Sequence, residues 1–125
     1  MTQEQKDLLL KDLCARLPYG IKGLVTFNGN IFKDEDRTID GKLYDRFAEF
    51  QDSWYDNVTI KPYLFPLSSM TREQEREWQS LMVCDIYGIF YHTIESFDYL
   101  YKNHIDIRGL IPMGLAIDAT DKNIY

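Results

Sequence analysis

The hydrophobic period of this chain changes at Pro18-Tyr19-Gly20, and that change restricts the folds open to it. Upstream, Leu9, Leu10, Leu13, Cys14 and Leu17 recur at three- and four-residue spacing, the pattern of a helix with one buried face. Thr2 followed by Gln5 is a capping-box pattern, and Glu4 and Asp7 suit the positive end of a helix dipole. Downstream, Leu24-Val25-Thr26-Phe27 and Ile31-Phe32 are β-favouring runs around Asn28-Gly29, the strongest signal for a two-residue hairpin turn. Asp40-Gly41 is a second turn signal, between Arg37-Thr38-Ile39 and Leu43-Tyr44, and Val58-Thr59-Ile60 reads as a further strand closed by Pro62. Leu43, Phe47, Phe50 and Trp54 also fit helical spacing, so this stretch carries both patterns. We read it with its neighbours as part of a small antiparallel meander.

The helical signals then return. Thr71 with Gln74 repeats the capping box ahead of a stripe of Trp78, Leu81 and Met82. Residues 85–92 are aromatic and β-branched around Gly88, which suits a short strand or an aromatic connector. Thr93 caps a last helix with a stripe of Phe97, Leu100, Tyr101 and His104. Gly109 and Gly114 bracket a turn, and Leu115-Ala116-Ile117 suits a short terminal strand. The expectation is one α+β domain over residues 1–125. It has an N-terminal helix, a small antiparallel sheet or meander, two C-terminal helices and a short terminal turn or strand.

Aromatic residues at 14% supply enough large side chains for a core, which argues against disorder. The net charge of −6 lacks the basic stripe of a nucleic-acid binder, so neither direct nucleic-acid binding nor an anionic membrane surface is expected. Residues 33–57 carry eight acids against four bases, which makes this segment the expected electrostatic face. The N-terminal residues are too polar for a signal peptide, and no apolar run approaches the ~18 residues of a membrane span. Cys14 and Cys84 lie far apart in apolar helical patterns, so the expected setting is cytoplasmic with reduced thiols. Cys14 is expected on the buried face of its helix, as inert packing.

Chemistry is sparsely signalled. There are no close cysteine pairs and no histidines at metal-ligand spacing, and His92, Asp98, His104 and Asp106 are not compelled to converge. No Gly-x-Ser-x-Gly elbow surrounds Ser68 or Ser69, and phosphate-binding loops are absent. No catalytic residue, metal or cofactor is therefore assigned. His104 reads as a protonated cap on the end of its helix. Arg108, inside an apolar segment, needs a carboxylate or helix-end carbonyls, and pins the C-terminal turn to the body. In an extended segment Asp106 and Arg108 point the same way while Ile105 and Ile107 face the core. The residues open to partner recognition are Asp106, Arg108 and His104, with Asp34, Glu35 and Asp36 as the densest acidic cluster.

Three blocks carry a resemblance. They are 12–20 (Asp-Leu-Cys-Ala-Arg-Leu-Pro-Tyr-Gly), 60–71 from Ile60-Lys61-Pro62-Tyr63-Leu64 into Pro66-Leu67-Ser68-Ser69-Met70-Thr71, and 106–116 with Arg108-Gly109-Leu110-Ile111 and Gly114-Leu115-Ala116. In this order the chain resembles a family of small uncharacterised proteins of phages, prophages and related mobile elements of gut Bacteroidetes. It departs from that pattern at Phe65, where relatives often carry arginine. The resemblance implies an intracellular accessory protein and brings no catalytic or binding residue with it. The expectation is a non-enzymatic protein that binds a host or phage protein. An acidic nucleic-acid mimic and a small enzyme of unrecognised type are the alternatives.

Overall fold

The computed structural model describes residues 1–28, 33–49 and 57–125. Helix α1 (Gln3–Arg16) begins with the expected box: Gln5 N–H donates to the Thr2 hydroxyl at 3.1 Å and Thr2 N–H to the Gln5 side chain at 3.0 Å. Its inward stripe is Leu9, Asp12, Leu13 and Arg16, so two polar residues share the buried face. That rotates the stripe away from Cys14, one residue and ~100° past Leu13. Cys14 is exposed, contrary to the packing role expected of it.

Strands β1 (Lys22–Asn28), β2 (Lys33–Thr38) and β3 (Asn57–Leu64) form the body of a sheet, with β1 antiparallel to both neighbours. The register puts Phe27 opposite Lys33, whereas a two-residue turn at Asn28-Gly29 would put Asn30 there. Gly29 and the residues after it as far as Phe32 lie outside the described residues. Asp40-Gly41 does not close a hairpin. Asp40 accepts the Leu43 N–H at 2.9 Å and starts helix α2 (Gly41–Glu49), whose buried Leu43 and Phe47 are four apart. Helical spacing thus prevails over the meander there, and Phe50 and Trp54 fall outside the described residues.

After β3 the chain leaves the sheet for α3 (Arg72–Ser80), a small hairpin of β4 (Val83–Cys84) and β5 (Phe90–Tyr91), and α4 (Ile94–Lys102). It returns as β6 (Ile117–Asp118), parallel to β3, with Tyr63 opposite Ile117. The sheet order is β2-β1-β3-β6. It is mixed rather than antiparallel, because so long an excursion allows a parallel return. The fold is α+β with an N-terminal helix. No described helix is long and apolar enough to cross a membrane.

Two cores result. Leu9 and Leu13 of α1 join Val25, Ile60 and Phe47, with Leu110 and Leu115 from the C-terminal turn. Met70, Leu100 and Ile105 form a second cluster, with Trp78 packed against it. Helix α4 buries Ser96 and Leu100, so of the expected stripe Leu100 is fully inward and Tyr101 half-buried, whereas Phe97 is 37% exposed and Ile94, one turn earlier, is 78% exposed.

Candidate functional site

Asp106, Arg108 and His104 lie close together in the chain, but each is engaged in holding the fold. Asp106 is buried rather than outward-pointing, because its carboxylate accepts the Leu110 N–H at 2.9 Å and the Ile111 N–H at 3.0 Å. Those bonds cap the turn between Gly109 and Gly114, both of which have positive φ. The partner Arg108 needs is Asp12 on α1, 3.4 Å from its Nε, and its Nη2 donates to the Tyr101 hydroxyl at 3.2 Å. Asp12 is already held by Arg16, whose Nε donates to it at 2.7 Å and whose Nη2 donates to the Ile105 carbonyl at 2.6 Å. Asp12 and Arg16 are both fully buried. One carboxylate therefore faces two guanidiniums, and the Tyr101 ring face, 5.1 Å from Arg16 Cζ, offsets part of the remaining positive charge. Sequence reading missed Asp12 and Arg16. Their four-residue spacing astride Leu13 was the available signal.

His104 is not a protonated cap. It follows α4 with φ 60°, and its ring lies flat on Tyr125 with centroids 3.7 Å apart. Burial, with Arg16 and Lys22 nearby, pushes its pKa down to about 4, so the imidazole is neutral at pH 7. A cavity of about 400 Å³ borders His104, Ser69, Asp121 and Tyr125, the residue types of a nucleophilic triad. The geometry of one is lacking: Ser69 donates its hydroxyl to the Pro66 carbonyl at 2.6 Å, and His104 Nδ1 is buried without a hydrogen-bond partner. Among the described residues no group of His, Cys, Asp and Glu could hold a metal ion.

Asp34, Glu35 and Asp36 lie on β2, an edge strand of the sheet. Glu35 is paired with Lys33, chiefly, and with Arg37, which holds its carboxyl below the usual range. Tyr63 donates its hydroxyl to Asp36, and burial followed by that carboxylate pushes the phenol up to about 12. The cluster is therefore partly neutralised. Asp52 and Asp56 of the acidic segment lie outside the described residues.

The unexplained surface is the β4–β5 hairpin with the start of α4. Its turn is built on Asp85, whose Oδ1 accepts the Tyr87 and Ile89 N–H groups at 2.9 and 3.0 Å and whose Oδ2 accepts the Tyr91 hydroxyl at 3.0 Å. The Ile89 bond above all holds the Asp85 carboxyl below its ordinary pKa. Gly88, at φ 79°, supplies the left-handed residue the turn requires. At the base, Thr93 donates to the Leu81 carbonyl and His92 stacks on Phe97 at 4.8 Å, with the Trp78 ring 5.6 Å from it. The backbone is thus well tied, yet the side chains it displays are apolar. Ile86 is 92% exposed, Tyr87 81% and Ile94 78%, and Ile89, Phe90 and Tyr91 are each about half exposed. Beside them Ile94, Phe97, Tyr101 and Ile107 line a groove of about 390 Å³ that also meets Asp98 and Arg108.

Comparison with protein-family models, with curated proteins and with solved structures gave no match.

Proposed function

We propose that this is a non-enzymatic protein-binding module, and that the β4–β5 hairpin with the first turns of α4 is its binding face. The exposure of Ile86, Tyr87, Ile89, Phe90 and Ile94 on a tied hairpin is the observation that carries this reading. Groups of exposed apolar side chains, as distinct from single ones, commonly mark interaction sites. Aromatic anchors on a pre-ordered backbone lose little entropy on binding, which favours affinity. The target we propose is a host or phage protein, the partner implied by the resemblance of three sequence blocks to small uncharacterised proteins of phages and mobile elements. Two exposed free cysteines support a reducing, cytoplasmic setting.

The test is affinity capture from host cells with the wild-type protein and with the double variant Ile86→Ser/Tyr87→Ser. Both side chains are solvated, so the variant should match wild-type stability within ~0.5 kcal/mol. A stoichiometric partner retained by the wild type and lost by the equally stable variant is the expected result. A partner captured equally by both would move the binding face elsewhere.

A further inference from the structure

We propose that the partner presents a cationic amphipathic helix to this face, with apolar side chains on the hairpin and groove and lysines or arginines on the surrounding carboxylates. This rests on the protein-binding reading above and specifies the chemistry of what is bound. The observation behind it is the sign of the charge. Residues 77–101, which contain the whole hairpin and all but the last residue of α4, hold Glu77, Asp85, Glu95 and Asp98 and no lysine or arginine. Glu95 and Asp98 are exposed beside Ile94 and Phe97, and among the described residues neither side chain has a hydrogen bond or ion pair. Asp98 also borders the groove, whose other charged residue, Arg108, is occupied by Asp12 and Tyr101.

The charges displayed without a partner beside these apolar side chains, Glu95 and Asp98, are both negative, while Arg108 at the groove is held by Asp12, so the face selects its occupant by charge. A second copy of the chain would bring two acidic rims together, and like charges placed against each other across an interface are costly. An anionic bilayer is repelled for the same reason. A segment with opposite charge places its cations on Glu95 and Asp98 and is steered there before contact. The form of the segment follows from the backbone. Strands β4 and β5 have two residues each, too few main-chain groups to template an added strand. A helix needs only a groove and side-chain anchors three and four residues apart, and the groove beside α4 provides for that.

The experiment uses two synthetic helical peptides with the same leucine face, one with lysines and one with glutamates on the opposite face. Each is titrated by calorimetry into the full chain, into Glu95→Gln/Asp98→Asn, and into Ile86→Ser/Tyr87→Ser. The lysine peptide should bind the wild type at least about tenfold more tightly than the glutamate peptide. That preference should shrink in the rim variant and at ~1 M salt, where the Debye length is ~3 Å. The tip variant should bind neither peptide well. Equal binding of both peptides to the wild type, lost in the tip variant, would overturn the cationic partner and leave the protein-binding face standing. Peptide binding that the tip variant retains in full would overturn both. Failure of both peptides to bind the wild type would overturn the proposal, and a wild-type dimer in sedimentation that the tip variant does not form would then show the occupant to be a second copy.

Discussion

Asp12 is the residue on which the polar part of the interior turns. It answers Arg16 and Arg108 together, so its loss leaves one fully buried and one partly buried guanidinium without a carboxylate. Asp12→Ala should cost ~3–5 kcal/mol, the range for breaking a buried pair from one side. Arg108→Ala should cost only about 1 kcal/mol, because the side chain is 31% exposed and Asp12 keeps its shorter bonds to Arg16. Denaturant melts of both variants check the order, and equal costs would contradict this account of the triad. His104 gives a pH dependence with a fixed sign. Its folded pKa of about 4 lies below the ordinary 6.5. Above 6.5 both states are neutral and stability is complete. Between 6.5 and 4 the unfolded chain takes up a proton that the folded chain refuses, so stability falls as pH falls. His104→Phe keeps a ring on Tyr125 and removes the titration, so its stability relative to wild type should rise from about pH 7 to about pH 4.5. A constant difference across that range would mean that the imidazole titrates normally.

At the scale of elements, the sheet depends on a close approach between β1 and β3. A Cβ on Gly23 would lie 2.9 Å from the Lys61 carbonyl oxygen and 3.2 Å from Pro62 Cα, both backbone atoms that cannot rotate away. Gly23→Ala should therefore cost about 1–3 kcal/mol through displacement of the strand pair, measurable as a lower denaturation midpoint. Gly41, at the start of α2, has nothing within 4 Å of such a Cβ and serves as the control. Helix caps were the most legible elements. Thr2, Thr71 and Thr93 each make the reciprocal box, because its hydrogen bonds join residues three apart and need no distant partner. Asp40-Gly41 reads as a turn in the sequence yet starts a helix, because aspartate serves a turn and a helix N-cap by the same carboxylate chemistry. Burial of Leu43 and Phe47 on the shared core decided for the helix.

For the whole molecule, the apolar face and the acidic charge act against each other. At neutral pH the charge of −6 opposes self-association through the exposed hairpin. Near the pI of about 4.8 that opposition disappears, so sedimentation should show association there that is absent at pH 7. The Ile86→Ser/Tyr87→Ser variant should remain monomeric at both. Association of this variant at the lower pH would trace the contact to another surface, or to the loosening expected as His104 protonates.

The α+β class, the first helix, the capping boxes at Thr2 and Thr71, the cap at Thr93 and the Gly109–Gly114 turn followed from the sequence alone, because each rests on periodicity or on contacts a few residues apart. The parallel return of β6, the inward turn of Asp12 and Arg16, and the neutrality of His104 depend on groups dozens of residues distant, and only the folded arrangement fixed them. The candidate site shows the same division. Residues 85–92 read as a short strand or an aromatic connector, of which only Phe90–Tyr91 is strand, but apolar side chains on a short strand look alike whether a layer covers them or not. Here the two-stranded hairpin stands apart from the four-stranded sheet, and nothing among the described residues is packed over its tip. Burial is a property of what lies opposite a residue, and a linear sequence does not specify what lies opposite.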